Sequence, residues 1–271
     1  MSSLAIGLAL VSAVLHVGWN AALRGASATI RFVWVETLAG GLVGFVLVVA
    51  THDWSLHGAL VWALITVGIH VVYFLALVQA YRTGALSVVY PGSRGLGVLL
   101  TVPAAAWLLA ETLDPIVIAG VVLVGLGLMG AIWQDWGAAS RKTYGWTALV
   151  GLTVMAYSLV DSHAMHLMQP PLYITIQFWG TAFFLTPLAL REPAGGSLRT
   201  PALAGLASLL SYVLILYAYR LAPVGAVLAL RQLAPALAPL AATLWLRERP
   251  SWQQALGAVA VSLGAILIIW A

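Results

Sequence analysis

AYRTGALSVVYPGSRGLGVLLTVPAAAWLLAE, residues 80–111, is the stretch that decides the fold. From Leu86 it reads as one apolar helix, long enough to cross a bilayer core, which takes about 20 residues. Three features interrupt the apolar run: Tyr90-Pro91, then Arg94, then the acidic Glu111 at its end. Tyr90 and Arg94 are four residues apart and share a helix face. Pro91 has no N–H to give, so a carbonyl near Ser87 is freed and the preceding turn is strained. A counterpart lies at residues 218–248, AYRLAPVGAVLALRQLAPALAPLAATLWLRE.

The two stretches are in register. Ala80-Tyr81-Arg82 matches Ala218-Tyr219-Arg220 at a shift of 138 residues. After a one-residue slip the shift is 137, pairing Arg94 with Arg231, Glu111 with Glu248, Gly120 with Gly257, and Leu126-Gly127 with Leu263-Gly264. The chain therefore reads as two repeats, residues 1–137 and 138–271, joined near Trp136 to Tyr144.

Composition names the solvent. The chain of 271 residues is 62% hydrophobic and 7% charged, whereas soluble domains are about 25% charged. Most of its surface faces lipid rather than water. Ten apolar runs are long enough to span: roughly 4–23, 31–50, 58–81, 86–109, 115–133, 145–167, 172–190, 202–220, 224–246 and 252–270. In hydrocarbon every backbone polar group must be paired internally, which makes each run a helix. Short polar or Pro/Gly connections make neighbours antiparallel. Tryptophans at run ends (Trp54, Trp107, Trp133, Trp136, Trp146, Trp245, Trp252, Trp270) suit the interfacial depth. The expected fold class is all-α: a polytopic membrane protein of ten transmembrane helices in two inverted five-helix repeats. Five helices per repeat is an odd number, so the second repeat enters the membrane upside down.

Of the twelve Lys and Arg, Arg94 and Arg231 fall inside helices. Nine of the other ten lie on one side: Arg24, Arg31, Arg82, Arg141, Lys142, Arg191, Arg199, Arg247 and Arg249. Only Arg220 lies on the other. Positive residues stay cytoplasmic, which puts both termini outside. The N-terminal apolar run has no basic flank and continues past any cleavage point, so it reads as a mature helix. The basic residues are scattered singly, with no patch for nucleic acid. With no cysteine, disulfides and thiol chemistry are excluded. No Walker-type loop, HExxH or GxSxG occurs, which argues against an ATPase and an intramembrane hydrolase. No cofactor is expected.

Three further blocks complete the pattern: GALSVVYPGSRG with IAGVVLVGLGLMG, APVGAVLALRQLAP with ALGAVAVSLGAILI, and the opening HVGWN at residues 16–20. Together they resemble the EamA family of the drug/metabolite transporter superfamily, over essentially the whole chain. The resemblance implies a ten-helix carrier of inverted repeats in the prokaryotic cytoplasmic membrane. It implies transport of small metabolites by alternating access, often outward and often coupled to an ion gradient. It leaves the substrate open among amino acids, nucleosides, sugars, quaternary amines and drugs.

Charge in hydrocarbon costs about 2.5–3.5 kcal/mol by insertion scales, so interior charges face the bundle and find partners. Four are candidates: Arg94, Arg231, Asp161 and Glu36. Two guanidinium groups near a pseudo-twofold axis repel unless an anion intervenes. Asp161 is one such anion, and a substrate carboxylate or phosphate is another. The bland alternative locks each arginine to Asp161 or to helix-end carbonyls. Gln232 stands beside Arg231. Asp161, preceded by Tyr157 one turn earlier, is a carboxylate that alternates between arginine and proton, or else a permanent salt bridge. Glu36, one turn inside the second helix, is a second coupling candidate, or it pairs with Arg31 or snorkels. His16, Trp19 and Asn20 share a face of the first helix. With Tyr73, Tyr90, Tyr157, Trp179 and Tyr212 they make an aromatic and polar lining for an aromatic ring or a quaternary amine. His70, one turn before Tyr73, belongs to that lining or satisfies a carbonyl. Glu111 and Glu248 are expected to cap the N-terminus of the next helix. The glycines of the fifth and tenth helices (Gly120, Gly125, Gly127, Gly130; Gly257, Gly264) mark close helix contacts, internal or between two copies.

The functional expectation is a secondary transporter of an amino acid or organic anion. A quaternary-amine carrier is the alternative, with an intramembrane enzyme or passive channel as the other classes. The expected partners are the small-molecule substrate, the lipid bilayer, a proton or other coupling ion, and, through the glycine faces, a second copy.

Overall fold

The helices begin where short polar side chains can take the orphan N–H groups of a first turn. Ser2, Thr29, Asp114, Ser140 and Ser251 each accept such a bond, and Ser251 forms a reciprocal capping box with Gln254. The computed structural model describes residues 1–26, 28–52, 54–56, 58–133, 140–193, 197–233 and 251–271. Among these it is all-helical. The helices are α1 (Ser3–Gly25), α2 (Ile30–Thr51), α3 (Leu60–Thr83), α4 (Leu86–Leu108), α5 (Pro115–Ala131), α6 (Arg141–Ala164), α7 (Pro170–Ala189), α8 (Arg199–Tyr219), α9 (Val224–Leu230) and α10 (Trp252–Trp270).

The protein is a multi-pass membrane protein. Seven of the helices are long and apolar enough to span: α1, α2, α3, α6, α7, α8 and α10. The ten-span expectation exceeds this in three places. At α5 the apolar helix is 17 residues, ending at Ala131 rather than residue 133. At α4 there are 23 residues, but Arg94, the serines and two internal prolines dilute its apolarity. At the ninth run the structure describes α9 as far as Leu230, a turn at residues 231–232, and the chain as far as residue 233. The rest of that run, with Pro235, Pro239, Trp245, Arg247, Glu248 and Arg249, lies outside the described residues, as does Trp136 with the expected repeat boundary near 137. The helix of α6 starts at Arg141, four residues before expectation, because Ser140 supplies a cap.

α1 packs on α8, α3 on α6, α2 on α7 and α8, α4 on α5 and α6, and α5 on α10. Backbones approach closely where glycine permits. A Cβ at Gly264 would stand 2.5 Å from the Gly120 carbonyl oxygen, and one at Gly120 would stand 2.7 Å from the Gly264 carbonyl oxygen. Gly127 and Gly257 oppose each other in the same way. These glycine faces are thus used within the chain, in an antiparallel α5–α10 contact. Outward, a belt of leucine, valine and phenylalanine is exposed, with Trp54, Trp107, Trp133, Trp252 and Trp270 exposed at or beside helix ends. That is the surface lipid demands.

The two ends of the bundle differ. At one, Glu192 after α7 accepts from the Arg31 N–H (2.9 Å) and from the Arg82 guanidinium (2.6 Å), while Arg82 Nε donates to the Ala28 carbonyl (3.0 Å). Arg31 and Arg82, with Glu192, line an open vestibule of about 860 Å³. At the other end, Arg220 donates to Gln169 (2.6 Å) and the Val224 N–H donates to Glu111 Oε1 (3.2 Å).

Glu111 does cap a helix, but not the next one. α5 has its own cap in Asp114, which accepts from Ile116 N at 2.7 Å, so Glu111 is free to reach α9. Partial burial pushes the Glu111 carboxyl up from its usual range, and the Val224 N–H pulls the other way. Glu111→Ala is expected to cost about 1 kcal/mol. Thermal unfolding in detergent would show it as a Tm about 2–4 °C lower; an unmoved Tm would mean the cap contributes nothing.

A candidate solute site between the helices

Arg94 arrives at the bundle centre because α4 is lined there by Gly92, Ser93, Gly95 and Gly97, all buried, which let neighbouring helices close around it. It is 1% exposed. Its Nη1 donates to the Tyr157 hydroxyl (3.1 Å) and its Nη2 to the Tyr73 hydroxyl (2.8 Å). Its Cζ lies 5.4 Å from the Tyr90 ring centroid and 5.8 Å from that of Tyr73. The expected shared face of Tyr90 and Arg94 is therefore a cation–π pair.

Arg231 stands at the end of α9 and is 2% exposed. Its Nη2 donates to His16 Nδ1 (2.8 Å) and to Ser211 Oγ (2.9 Å). The Trp19 indole donates to the same His16 nitrogen (3.1 Å). Arginine and indole can only donate, so Nδ1 is the acceptor and the ring proton sits on Nε2. Among the described residues that Nε2–H has no partner, and neither do Arg94 Nε or Arg231 Nε and Nη1. The His16 ring lies 6.1 Å from that of Tyr90, so the arginines are linked through Tyr90 and His16.

The two arginine settings share a register. Tyr73 and Ser211, which hold Arg94 and Arg231, are 138 residues apart, the same shift that relates Tyr81 to Tyr219. Tyr81 donates to Asn20 Oδ1 (2.9 Å), while Tyr219 adjoins Ser158, which is 138 residues after Asn20.

Among the described residues neither arginine touches a carboxylate, which corrects the expected pairing with Asp161. Asp161 is 0% exposed and is satisfied by hydroxyls from three other helices. Thr66 donates at 2.7 Å and Tyr173 at 2.5 Å to Oδ1, and Tyr212 donates to Oδ2. Tyr157, one turn before Asp161, turns to Arg94 instead. The His163 ring packs tilted against Trp62, centroids 4.6 Å apart. Glu36 is also 0% exposed. It neither pairs with Arg31 nor snorkels, because α8 lies directly on α2: a Cβ at Gly205 would collide with the Glu36 carbonyl oxygen. Among the described residues neither Glu36 side-chain oxygen makes a well-formed hydrogen bond, and the adjoining polar group is the Ser208 hydroxyl.

His16, Trp19, His70, Tyr73, Tyr157 and Tyr212 line one small cavity with Phe74, Gln177, Phe178 and Ser208. Its free volume is about 20 Å³, room for a water and little more. Most of the expected lining is thus brought together. Tyr90, Trp179 and Asn20 are not, and neither is Gln232 beside Arg231; Tyr90 faces the Arg94 guanidinium instead. Trp179 is 37% exposed and stacks on Phe45 at 5.4 Å, on the outer side of α2. Gln232 is buried but donates to the Leu228 carbonyl of its own helix (2.9 Å). Asn20 is spent on Tyr81 and on the His16 carbonyl (2.9 Å).

Sequence reasoning missed Thr66, Tyr173, Ser208 and Ser211. Only Ser211 left a signal, its register with Tyr73. Among the described residues no three His, Asp or Glu side chains converge as a metal site.

Residues 141–270 match the family model of the EamA-like transporter family. No curated protein matches the chain. A solved crystal structure is similar over 100% of this chain and 98% of that one, with a TM-score of 0.75 and 18% sequence identity. At that identity the likeness is one of fold.

Proposed function

The chain belongs, through residues 141–270, to the EamA-like transporter family, and from that premise we propose that it is a secondary active exporter of a small amino acid or organic anion. It works by alternating access in the prokaryotic cytoplasmic membrane, with both termini outside. The observation that carries the substrate class is the pair of buried guanidinium groups that, among the described residues, have no carboxylate partner and keep unused N–H donors. A buried cation without a counter-ion is expensive. A solute carboxylate would supply the missing charge and accept the unused donors bidentately. His16 Nε2–H is a further donor from the cavity wall.

Two inverted repeats, residues 1–137 and 138–271, supply the motion. The reciprocal Gly120–Gly264 and Gly127–Gly257 contacts support this, because a twofold axis swaps each pair into the other at a shift of 137. So does the matched packing of α1 on α8 and α6 on α3. A cavity of about 20 Å³ cannot hold an amino acid, so a solute enters only when helices part. Asp161 and Glu36 are the candidates for coupling to a proton gradient, being buried carboxylates without a cation among the described residues.

The quaternary-amine alternative is disfavoured by one feature. The Tyr73 and Tyr90 rings, natural parts of a cage for such a ligand, already face the Arg94 guanidinium. The test is counterflow. Proteoliposomes loaded with unlabelled amino acids or carboxylates are expected to accumulate the labelled compound transiently, and choline-loaded ones are not. Choline counterflow without any for the carboxylates would reverse the assignment.

A further inference from the structure

One helix, α8, touches both buried carboxylates. Ser208 and Tyr212 are four residues apart and so lie one turn apart on one face. Both line the central cavity. Ser208 adjoins Glu36 of α2, and Tyr212 donates to Asp161 of α6. Neither carboxylate lines the cavity itself. Phe32 and Val35, in the turn before Glu36, line the large vestibule at the basic end. Glu36 therefore stands between vestibule and cavity, and Tyr212 between cavity and Asp161.

The polar groups around each acid are few. Ser208 is the polar neighbour of Glu36, and no charged side chain from α7 or α8 faces it among the described residues. Around Asp161 stand Thr66 from α3, Tyr173 from α7 and Tyr212 from α8, with His70 behind them. His70 Nδ1 lies 2.9 Å from the Thr66 carbonyl oxygen, an acceptor only, so Nδ1 carries the proton. Nε2 is then an acceptor, 3.2 Å from the Tyr212 hydroxyl. One O–H cannot serve both Asp161 and His70. While Asp161 is charged, Tyr212 donates to it and His70 Nε2 is left without a donor. Once Asp161 is protonated, its O–H donates to the Tyr212 oxygen, and the Tyr212 O–H turns to His70. Every member is then satisfied, so the cluster accommodates a proton on Asp161 by a single hydroxyl rotation.

Resting on the transporter reading above, we propose that α8 is a proton relay: protons pass between Glu36 and Asp161 through Ser208, a cavity water and Tyr212. In the forward step the Glu36 carboxyl gives its proton to the Ser208 oxygen, and Ser208 passes its own hydroxyl proton to the water. The water passes one to the Tyr212 oxygen, and Tyr212 passes its phenolic proton to Asp161 Oδ2. Serine, water and tyrosine are regenerated. The net change is one proton from Glu36, which becomes a carboxylate, to Asp161, which becomes neutral. The cavity's volume of about 20 Å³ is the right size for the one water the path needs. Tyr212 also forms part of the cavity wall, so a solute arriving there displaces the water and severs the path. Solute binding and proton transfer then exclude each other in time, which is the condition for coupling them.

The test needs no substrate. In purified protein, infrared spectroscopy after a rapid pH drop follows the carboxyl C=O band that Asp161→Asn removes. Ser208→Ala and Glu36→Gln, neither of which touches Asp161, are expected to slow the growth of that band about a hundredfold, the scale of one lost proton-transfer group, while leaving its final amplitude unchanged. Tyr212→Phe is expected to slow it at least as much. An unchanged rate in Ser208→Ala and Glu36→Gln would overturn the relay, as would an Asp161 band that does not respond to pH. Either outcome leaves the counterflow experiment standing, and failed counterflow leaves this one standing, so the two ideas fail separately.

Discussion

Arg231→Ala is expected to abolish counterflow while the protein still folds and inserts. The argument is local. Removing the guanidinium takes one donor from His16 Nδ1, which keeps the bond from Trp19. Ser211 keeps its exchange with Ser12, in which each hydroxyl donates to the other's backbone carbonyl at 2.7 and 2.8 Å. Among the described residues His16 Nδ1 and Ser211 keep partners, and a buried cation with no described counter-ion disappears, so the fold has little to lose. The solute loses its carboxylate clamp. Arg231→Lys restores charge without the planar fork and is expected to recover weak transport with a raised KM. A monodisperse Arg231→Ala protein with unimpaired counterflow would remove the anion site.

Gly264→Val is expected to have the largest effect on stability. Its Cβ would stand 2.5 Å from the Gly120 carbonyl oxygen and 3.0 Å from Val124 N, both backbone atoms that cannot rotate away. Helices α5 and α10 must separate along their length. Overpacking of this kind costs about 1–3 kcal/mol when side chains can yield, and more when backbones must. Folded yield in detergent should collapse. Gly130→Ala on the same α5 is the control, since a Cβ there meets no heavy atom within 4 Å. If both variants behaved like the parent, the α5–α10 contact would not be the seam it is taken for.

Much of the architecture was legible from residues alone. Composition identifies the solvent, and capping residues locate several helix starts. Arg94 and Arg231 announce themselves because a charge in an apolar run has few reasons to be there. Tyr90 was readable from the same spacing rule. The partners of Asp161 were not. Thr66, Tyr173 and Tyr212 lie on three helices, and which hydroxyls converge depends on rotation between helices that sequence order does not encode. Trp179 failed for a related reason: α7 is apolar all round, so no pattern distinguishes its lipid side from its core side. The burial of Glu36 was not readable either: pairing with Arg31 or snorkelling stood beside a coupling role, and only the approach of α8 at Gly205 removes those two alternatives.

Glu192 has a consequence for kinetics. Its carboxylate ties the tail of α7 to the Arg31 amide and the Arg82 side chain, partly in contact with solvent. Dissolved ions weaken such a fastening. The opposite end is held by Glu111 on the α9 amide, half withdrawn from water and far less responsive to electrolyte. On the proposed alternating-access reading, raising ionic strength is therefore expected to loosen the end held by Glu192 and spare the other, tilting the resting posture toward the basic face.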